Sequence, residues 1–207
     1  MKILRTIMLV ALITLLATPV ARSEFTAEEW QRMKNGDVII TEVAAQNPDG
    51  SQRIDFLAKL YIKATRQEVW KTIRDYNHYS EFMPRLTKAT ILKQEGQVYW
   101  VRYEVKVLWL RVVYHLRVEG VDPFKRIEFK LDTDKKNHIR NTYGYWILQD
   151  APEGSGTVLS YSAYIDTGIP APESLARKVA KSALPGVVKN VRKRIESGGT
   201  WKKAEGS

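Results

Sequence analysis

The chain contains no cysteine. Disulfides, thiolate zinc sites and thiol nucleophiles are therefore excluded, and so is a lipidated N-terminal cysteine. Histidine is scarce: His78, His115 and His138 lie far apart and form no H-x-H or H-x-x-x-H spacing, so no metal site is expected. There is no G-x-S-x-G, no glycine-rich phosphate loop and no H-E-x-x-H, which removes the linear signatures of several hydrolase and nucleotide-binding classes. Acids such as Asp55, Glu104 and Asp166 stand singly on predicted strands, with no pairing for acid–base work. A catalytic Tyr, His or Asp inside a cavity leaves no linear motif, so the sequence leaves catalysis open. No cofactor is expected.

Long apolar runs are also missing, with one exception. Ile7 to Ala17 is apolar apart from Thr14, preceded by Lys2 and Arg5 and followed by Ala21-Arg22-Ser23. A basic start, a short apolar stretch and a small-x-small site are the layout of a secretory signal peptide. The run is shorter than the ~20 residues of a spanning helix; an uncleaved N-terminal anchor is the competing reading. Residues 1–23 are read as the signal peptide, and the protein as periplasmic or secreted.

What remains is globular in composition. Of 207 residues, 44% are apolar and 27% charged, and a chain of this size buries roughly 70% of its unfolded surface. The net charge is +10, and removal of Lys2, Arg5 and Arg22 with the signal peptide leaves +7. A basic surface favours anionic partners. Lipid headgroups fit an exported protein; nucleic acid is not expected. No repeat or linker divides the chain, and a monomer is expected.

Periodicity gives the elements. Glu24 to Asn35 is predicted as a short helix and Asp37 to Ala45 as a strand. Asn47-Pro48-Asp49-Gly50 turns into a second strand, Arg53 to Ala64. Thr65 and Glu68 form a capping-box pattern for the next helix, and a short helix from Asn77 to Met83 stops at Pro84. Strands follow over Leu86–Gln94, Val98–Val107, Leu110–Glu119, around Ile127 to Leu131, Ile139–Gln149 and Thr157–Asp166. Glu173 to Glu196 then reads as one long helix with a stripe of Leu175, Val179, Ala183, Val187, Val191 and Ile195, kinked at Pro185. The segment 198–207 is predicted to be a loose, flexible tail. This is an α+β layout, an antiparallel sheet with helices on one face.

Several segments in this order resemble the START-like superfamily (SRPBCC; polyketide cyclase/dehydrase and lipid transport), and most closely its coenzyme Q-binding branch. The carriers are Ala64-Thr65-Arg66-Gln67-Glu68-Val69-Trp70, Asp75-Tyr76-x-x-Tyr79-x-x-Phe82-Met83-Pro84, Gly144-x-Trp146-x-Leu148, Gly156-Thr157 and Leu184-Pro185. Thr65 and Ser80 stand where the pattern has proline, and the strand at Asp37 to Ala45 is extra. The resemblance implies a helix-grip fold over residues 53–197, a curved antiparallel sheet wrapped around a long C-terminal helix, with residues 24–52 as an added helix and strand. It also implies an apolar cavity that holds a lipid, quinone or other hydrophobic molecule; a minority of such proteins are cyclases.

The cavity residues expected on this basis are Trp70, Tyr76, Tyr79, Phe82 and Met83 near the first helices, and Tyr103, Tyr114 and Phe129 on inward strand faces. Trp146 and Leu184 complete the set. A tyrosine offers an apolar ring with a hydroxyl that can orient a polar headgroup; taken singly, each of these residues reads equally as packed core. The inward face of 143–148 is not readable, because both faces are apolar. On the last helix, Arg177, Lys178, Lys181, Lys189, Arg192 and Lys193 form either a solvated face or a face towards an anionic membrane. A kinked basic helix over a lipid cavity would also serve as a gate. The function expected is an exported carrier of a hydrophobic ligand. The alternatives are a cyclase- or aromatase-like enzyme using the same cavity and a basic surface-binding module with a filled core.

Overall fold

Two Thr-x-x-Glu boxes start the first two helices. Thr26 and Glu29 bond each other's backbone amides at the head of α1 (Ala27–Lys34), and Thr65 and Glu68 do the same for α2 (Arg66–Ile73). Each box satisfies two amides that a helix start leaves unpaired. The computed structural model describes residues 25–46, 50, 52–107, 109–170 and 173–204; the predicted signal peptide lies outside them.

Between and after these helices run β1 (Ile39–Gln46), β2 (Gln52–Ile62), a 3-10 turn (Tyr76–His78) and the one-turn helix α3 (Tyr79–Phe82). The meander continues through β3 (Leu86–Glu95), β4 (Val98–Val107), β5 (Leu110–Asp122), β6 (Arg126–Leu131), β7 (Asn141–Asp150) and β8 (Thr157–Asp166), and α4 (Glu173–Glu196) closes the domain. The eight strands form one antiparallel sheet in the order β1-β2-β8-β7-β6-β5-β4-β3. Its inner face packs on α2, α3 and α4 around Leu60, Ile73, Phe82, Val101, Leu159 and Val188, all buried. The α+β helix-grip arrangement is therefore present.

The register settles the face of β7. Gly144 opposes Phe129, and Trp146 opposes Ile127 and Tyr161; Trp146 is buried in the core with Leu148, so Tyr143 and Tyr145 point outward. A Cβ at Gly144 would overlap the Ser162 carbonyl and the Phe129 ring and stand 2.9 Å from the Ala163 Cα. The glycine makes room for a neighbouring ring.

Two sequence expectations need correction. The buried face of α4 is Leu184, Val188 and Val191, with Val187 and Ile195 partly buried, whereas Val179 and Ala183 are exposed. A strict four-residue spacing drifts around a helix of 3.6 residues per turn, so the predicted stripe leaves the core in the first half. The side chain of Leu175 lies outside the described set. Pro185 sits inside a continuous helix, where its missing amide leaves the Lys181 carbonyl without its usual partner.

The segment 198–204 is tied down where a loose tail was predicted. The Lys203 amide donates to the Glu81 carbonyl at 2.9 Å, and its Nζ donates to the Met83 and Leu86 carbonyls at 2.6 and 2.7 Å. Glu81 accepts from Arg194 at 2.7 Å and Lys202 at 3.1 Å, and Arg194 also donates to the Trp201 carbonyl at 3.0 Å. This clasp fixes the α3–β3 corner to the end of α4. A second, smaller core of Phe25, Trp30, Met33, Ile39, Ala151 and Val158 seats α1 on the outer side of β1, β2 and β8.

Two measurements check this packing. Gly144→Ala should lower stability by about 1–3 kcal/mol in urea unfolding, the usual cost of overpacking. The Lys202 hydrogen bond and the nearby Arg194 hold the Glu81 carboxyl below its ordinary pKa. A depressed folded pKa contributes stability that is present above the unfolded value and lost as pH falls through the folded one. Glu81→Gln should therefore cost about 1–2 kcal/mol at neutral pH, with the difference from the parent protein vanishing in acid.

Candidate functional site

The inner face of the sheet carries a chain of aromatic rings. Tyr76 lies 5.1 Å from Tyr79 and 5.2 Å from Tyr99, between ring centroids. Tyr79 continues to Phe82 at 5.3 Å and to Tyr103 at 6.1 Å, and Tyr103 to Tyr114 at 5.7 Å. Across the sheet, Trp146 and Tyr161 lie 4.1 Å apart, and Phe129 stacks on Tyr161 at 6.2 Å.

These residues fall into two groups. Trp70, Tyr76, Tyr79, Phe82, Met83, Trp146 and Leu184 are buried. The Tyr79 hydroxyl donates to the Ile73 carbonyl. Trp70 is far from the other rings of the chain, packed at 5.7 Å on Phe124 and covered by Arg74 at 5.1 Å. Tyr103, Tyr114 and Phe129 are only half-buried, as is Tyr161. Tyr161 was not among the residues singled out from the sequence, although the alternation Leu159, Tyr161, Ala163 places it on the inward face.

The half-buried tyrosines combine two properties. Burial raises the phenol of Tyr103 well above its ordinary pKa, that of Tyr114 to about 12, and that of Tyr161 above its usual value as well. Each is thus enclosed by protein and is a neutral hydroxyl at physiological pH. Yet each keeps surface that water can reach. Enclosed but accessible rings line a hollow.

Exposure along the inward faces shows where the hollow opens. On β5, Leu116 is buried, Tyr114 and Val112 half-buried and Leu110 exposed. On β4 the series is Val101 buried, Tyr103 and Val105 half-buried, Val107 exposed. On β8 it is Leu159 buried, Tyr161 and Ala163 half-buried, Ile165 exposed. Val107 pairs with Leu110, and Asp166 pairs with Asn141 at the start of β7, so the three gradients run towards the same end of the sheet. The first half of α4, with Val179 and Ala183 exposed, leaves that end uncovered.

The inward positions of β4 to β8 are Val, Leu, Ile, Ala, Gly, Thr and aromatic residues. They include no carboxylate, imidazole or cation. The Tyr76 hydroxyl is buried without a hydrogen-bond partner among the described residues, an arrangement that costs about 1–3 kcal/mol. The histidines lie elsewhere: His78 meets Asp75 at 2.7 Å, His115 meets Asn137 at 3.1 Å, and His138 accepts from the Val113 amide at 3.2 Å. Among the described residues no three His, Asp or Glu side chains gather where a metal could sit.

A groove of about 410 Å³ lies on the opposite, outer face, lined by Arg117, Glu119, Arg126, Glu128, Lys130, Tyr143 and Tyr145. Its charges largely pair off, Arg117 with Glu119 at 2.6 Å and Arg126 with Glu128 at 2.7 Å. It has neither the enclosure nor the apolar wall of the inner hollow.

The basic residues of α4 do not act as one face. Arg192 pairs with Glu196 at 3.5 Å, and Lys193 lies over Trp201 at 5.1 Å. Lys189 is exposed on the anchored half of the helix. Arg177 reaches Glu42 at 3.6 Å, and Lys178 and Lys181 are exposed beside the open end.

The fold recurs in solved structures. A STAR-related lipid transfer protein from Xanthomonas axonopodis is 19% identical, with 75% of this chain and 98% of that one covered and a TM-score of 0.58. A START superfamily protein from Mycobacterium smegmatis is 16% identical over 68% and 96% of the two chains, with a TM-score of 0.60. The Zhui aromatase/cyclase from a Streptomyces species is 17% identical over 82% and 99%, with a TM-score of 0.54. At these identities the likeness is one of fold. No curated protein matches the chain significantly. The family description "Polyketide cyclase / dehydrase and lipid transport" matches residues 62–192, from the end of β2 through most of α4, and on that match over more than half of its length the chain belongs to this family.

Proposed function

We propose that the protein is an exported, non-catalytic carrier, and that its ligand is a neutral lipid- or quinone-like molecule held in the tyrosine-lined hollow. The observation that carries this reading is the set of enclosed yet accessible rings, Tyr103, Tyr114, Phe129 and Tyr161. Family membership supports a hydrophobic ligand, and two of the structural relatives are described as a lipid transfer protein and a START superfamily protein.

The wall narrows the ligand class. Phenol hydroxyls donate hydrogen bonds, and nothing on the inward strand positions offers a charge. A carboxylate or phosphate drawn inside would lose its water with no cation to replace it, at a cost of several kcal/mol. A molecule with carbonyl acceptors on an apolar body keeps its hydrogen bonds and buries its surface. The same wall has no carboxylate or imidazole to act as a general base, which favours carriage over cyclase chemistry. Export rests on the basic and apolar N-terminal segment.

Native mass spectrometry with organic extraction, on protein isolated from its own host, should find a stoichiometric neutral lipid or quinone and a chain beginning at Glu24. A bare protein that takes up no offered quinone or lipid would sink the carrier reading. Tyr103→Phe and Tyr114→Phe keep the rings and remove the donors. Each should weaken binding of the neutral naphthoquinone menadione by about fivefold, the value of one hydrogen bond, with unfolding unchanged.

A further inference from the structure

The rim of the hollow has an unusual surface. Trp109, in the turn between β4 and β5, is 82% exposed, and Leu110 beside it is 54% exposed. Ile169, between β8 and α4, is 73% exposed, and Val179 on the first half of α4 is 52% exposed. These segments adjoin through the β6–β7 loop. The His138 amide donates to the Val113 carbonyl at 2.9 Å, and Arg140 donates to the Gly168 carbonyl at 3.2 Å. The apolar side chains thus share one end of the molecule. Large apolar groups so exposed mark a contact surface rather than a solvated one.

The charge around them has one sign on balance. Lys106, Lys135, Lys136, Lys178 and Lys181 flank these positions and form no ion pair among the described residues. The nearby acids are mostly consumed: Glu104 by Arg102 and Arg111, Asp166 by Arg140, and Glu42 by Arg177. Asp132 and Asp134 remain, beside Lys135 and Lys136. At the opposite end, Phe124 leans on the Trp70 ring, and Lys125 pairs with Asp122 at 3.3 Å.

We propose that this rim docks onto an anionic lipid bilayer, with Trp109 and Ile169 entering the boundary between headgroups and acyl chains. Tryptophan favours that boundary because its ring is apolar and its indole N–H is polar. The flanking lysines are attracted to anionic headgroups. Docked this way, the mouth of the hollow faces the hydrocarbon, and a neutral ligand passes between bilayer and protein without crossing water. That transfer role rests on the carrier reading; the docking itself does not. The cations of the anchored half of α4, Lys189 and Lys193, lie away from the rim and take no part.

The test is vesicle flotation of the full chain against phosphatidylglycerol–phosphatidylethanolamine vesicles and phosphatidylcholine vesicles. The parent protein, Trp109→Ser/Ile169→Ser, Lys178→Glu/Lys181→Glu and Lys189→Glu/Lys193→Glu are compared. All share one N-terminus, so differences among them report the docking surface alone. The expected result is salt-sensitive binding to the anionic vesicles, about tenfold or more weaker in each of the first two variants and retained in the third. Thermal unfolding should be unchanged, since the substituted side chains are exposed. Equal binding by all four proteins, loss in the third variant alone, or no vesicle binding overturns the proposal. Calorimetry with menadione in vesicle-free buffer runs in parallel. Rim-dependent docking without menadione binding would sink the carrier reading and leave the docking standing; menadione binding without docking would do the reverse.

Discussion

Helix α4 has 24 residues but buries an apolar face over only its second half. From Leu184 onward, Leu184, Val188 and Val191 fill the concavity of the sheet, each contributing on the order of 2 kcal/mol of apolar burial. Before Leu184 the helix offers Lys181, Ser182 and Ala183, all exposed. The sheet does not shorten to match. Its inward rows continue through Tyr103, Tyr114 and Tyr161 to Val107, Leu110 and Ile165 with nothing of equal size above them. The hollow, its mouth and the exposed rim all follow from this mismatch between a long sheet and a half-apolar helix.

The closed half has to be held firmly for this to work. The C-terminal clasp does so through charged hydrogen bonds where apolar burial ends, joining Arg194, Glu81, Lys202 and Lys203 to the corner that presents Tyr79, Phe82 and Met83. The outer face uses the same device. Arg53 sits over the Tyr143 and Tyr164 rings at 4.8 and 4.9 Å while paired with Asp55 at 2.8 Å. Charge is thus placed on the outside and at the corners, and the inner rows are left neutral.

Much of this was legible in the sequence, for identifiable reasons. Period-2 alternation in β2, β4 and β5 set the faces of Leu60, Tyr103 and Tyr114, and Thr65 with Glu68 announced α2. The face of β7 could not be read because Tyr143, Trp146 and Leu148 make both sides apolar; only the pairing of Gly144 with Phe129 decides it. The phase of α4 was misread because valines at four-residue spacing continue past the point where the core ends. The clasp was missed because Lys203 bonds backbone carbonyls of residues more than a hundred positions earlier, a contact that leaves no pattern in composition. Among the candidate residues, local aromatic density found both groups, but it could not separate Tyr79, packed and bonded to a carbonyl, from Tyr103, which faces open space.

The pairing of Trp146 with Tyr161 has an optical consequence. The two rings lie 4.1 Å apart, with the indole buried and the phenol at the wall of the hollow. Light absorbed by the neighbouring tyrosines passes readily to an indole at such range, so Trp146 gathers excitation from the lining while staying shielded from aqueous quenchers. A molecule lying against Tyr161 would perturb that emission at once, and one on the outer face would not. The protein therefore carries its own reporter of whether the hollow is empty or filled.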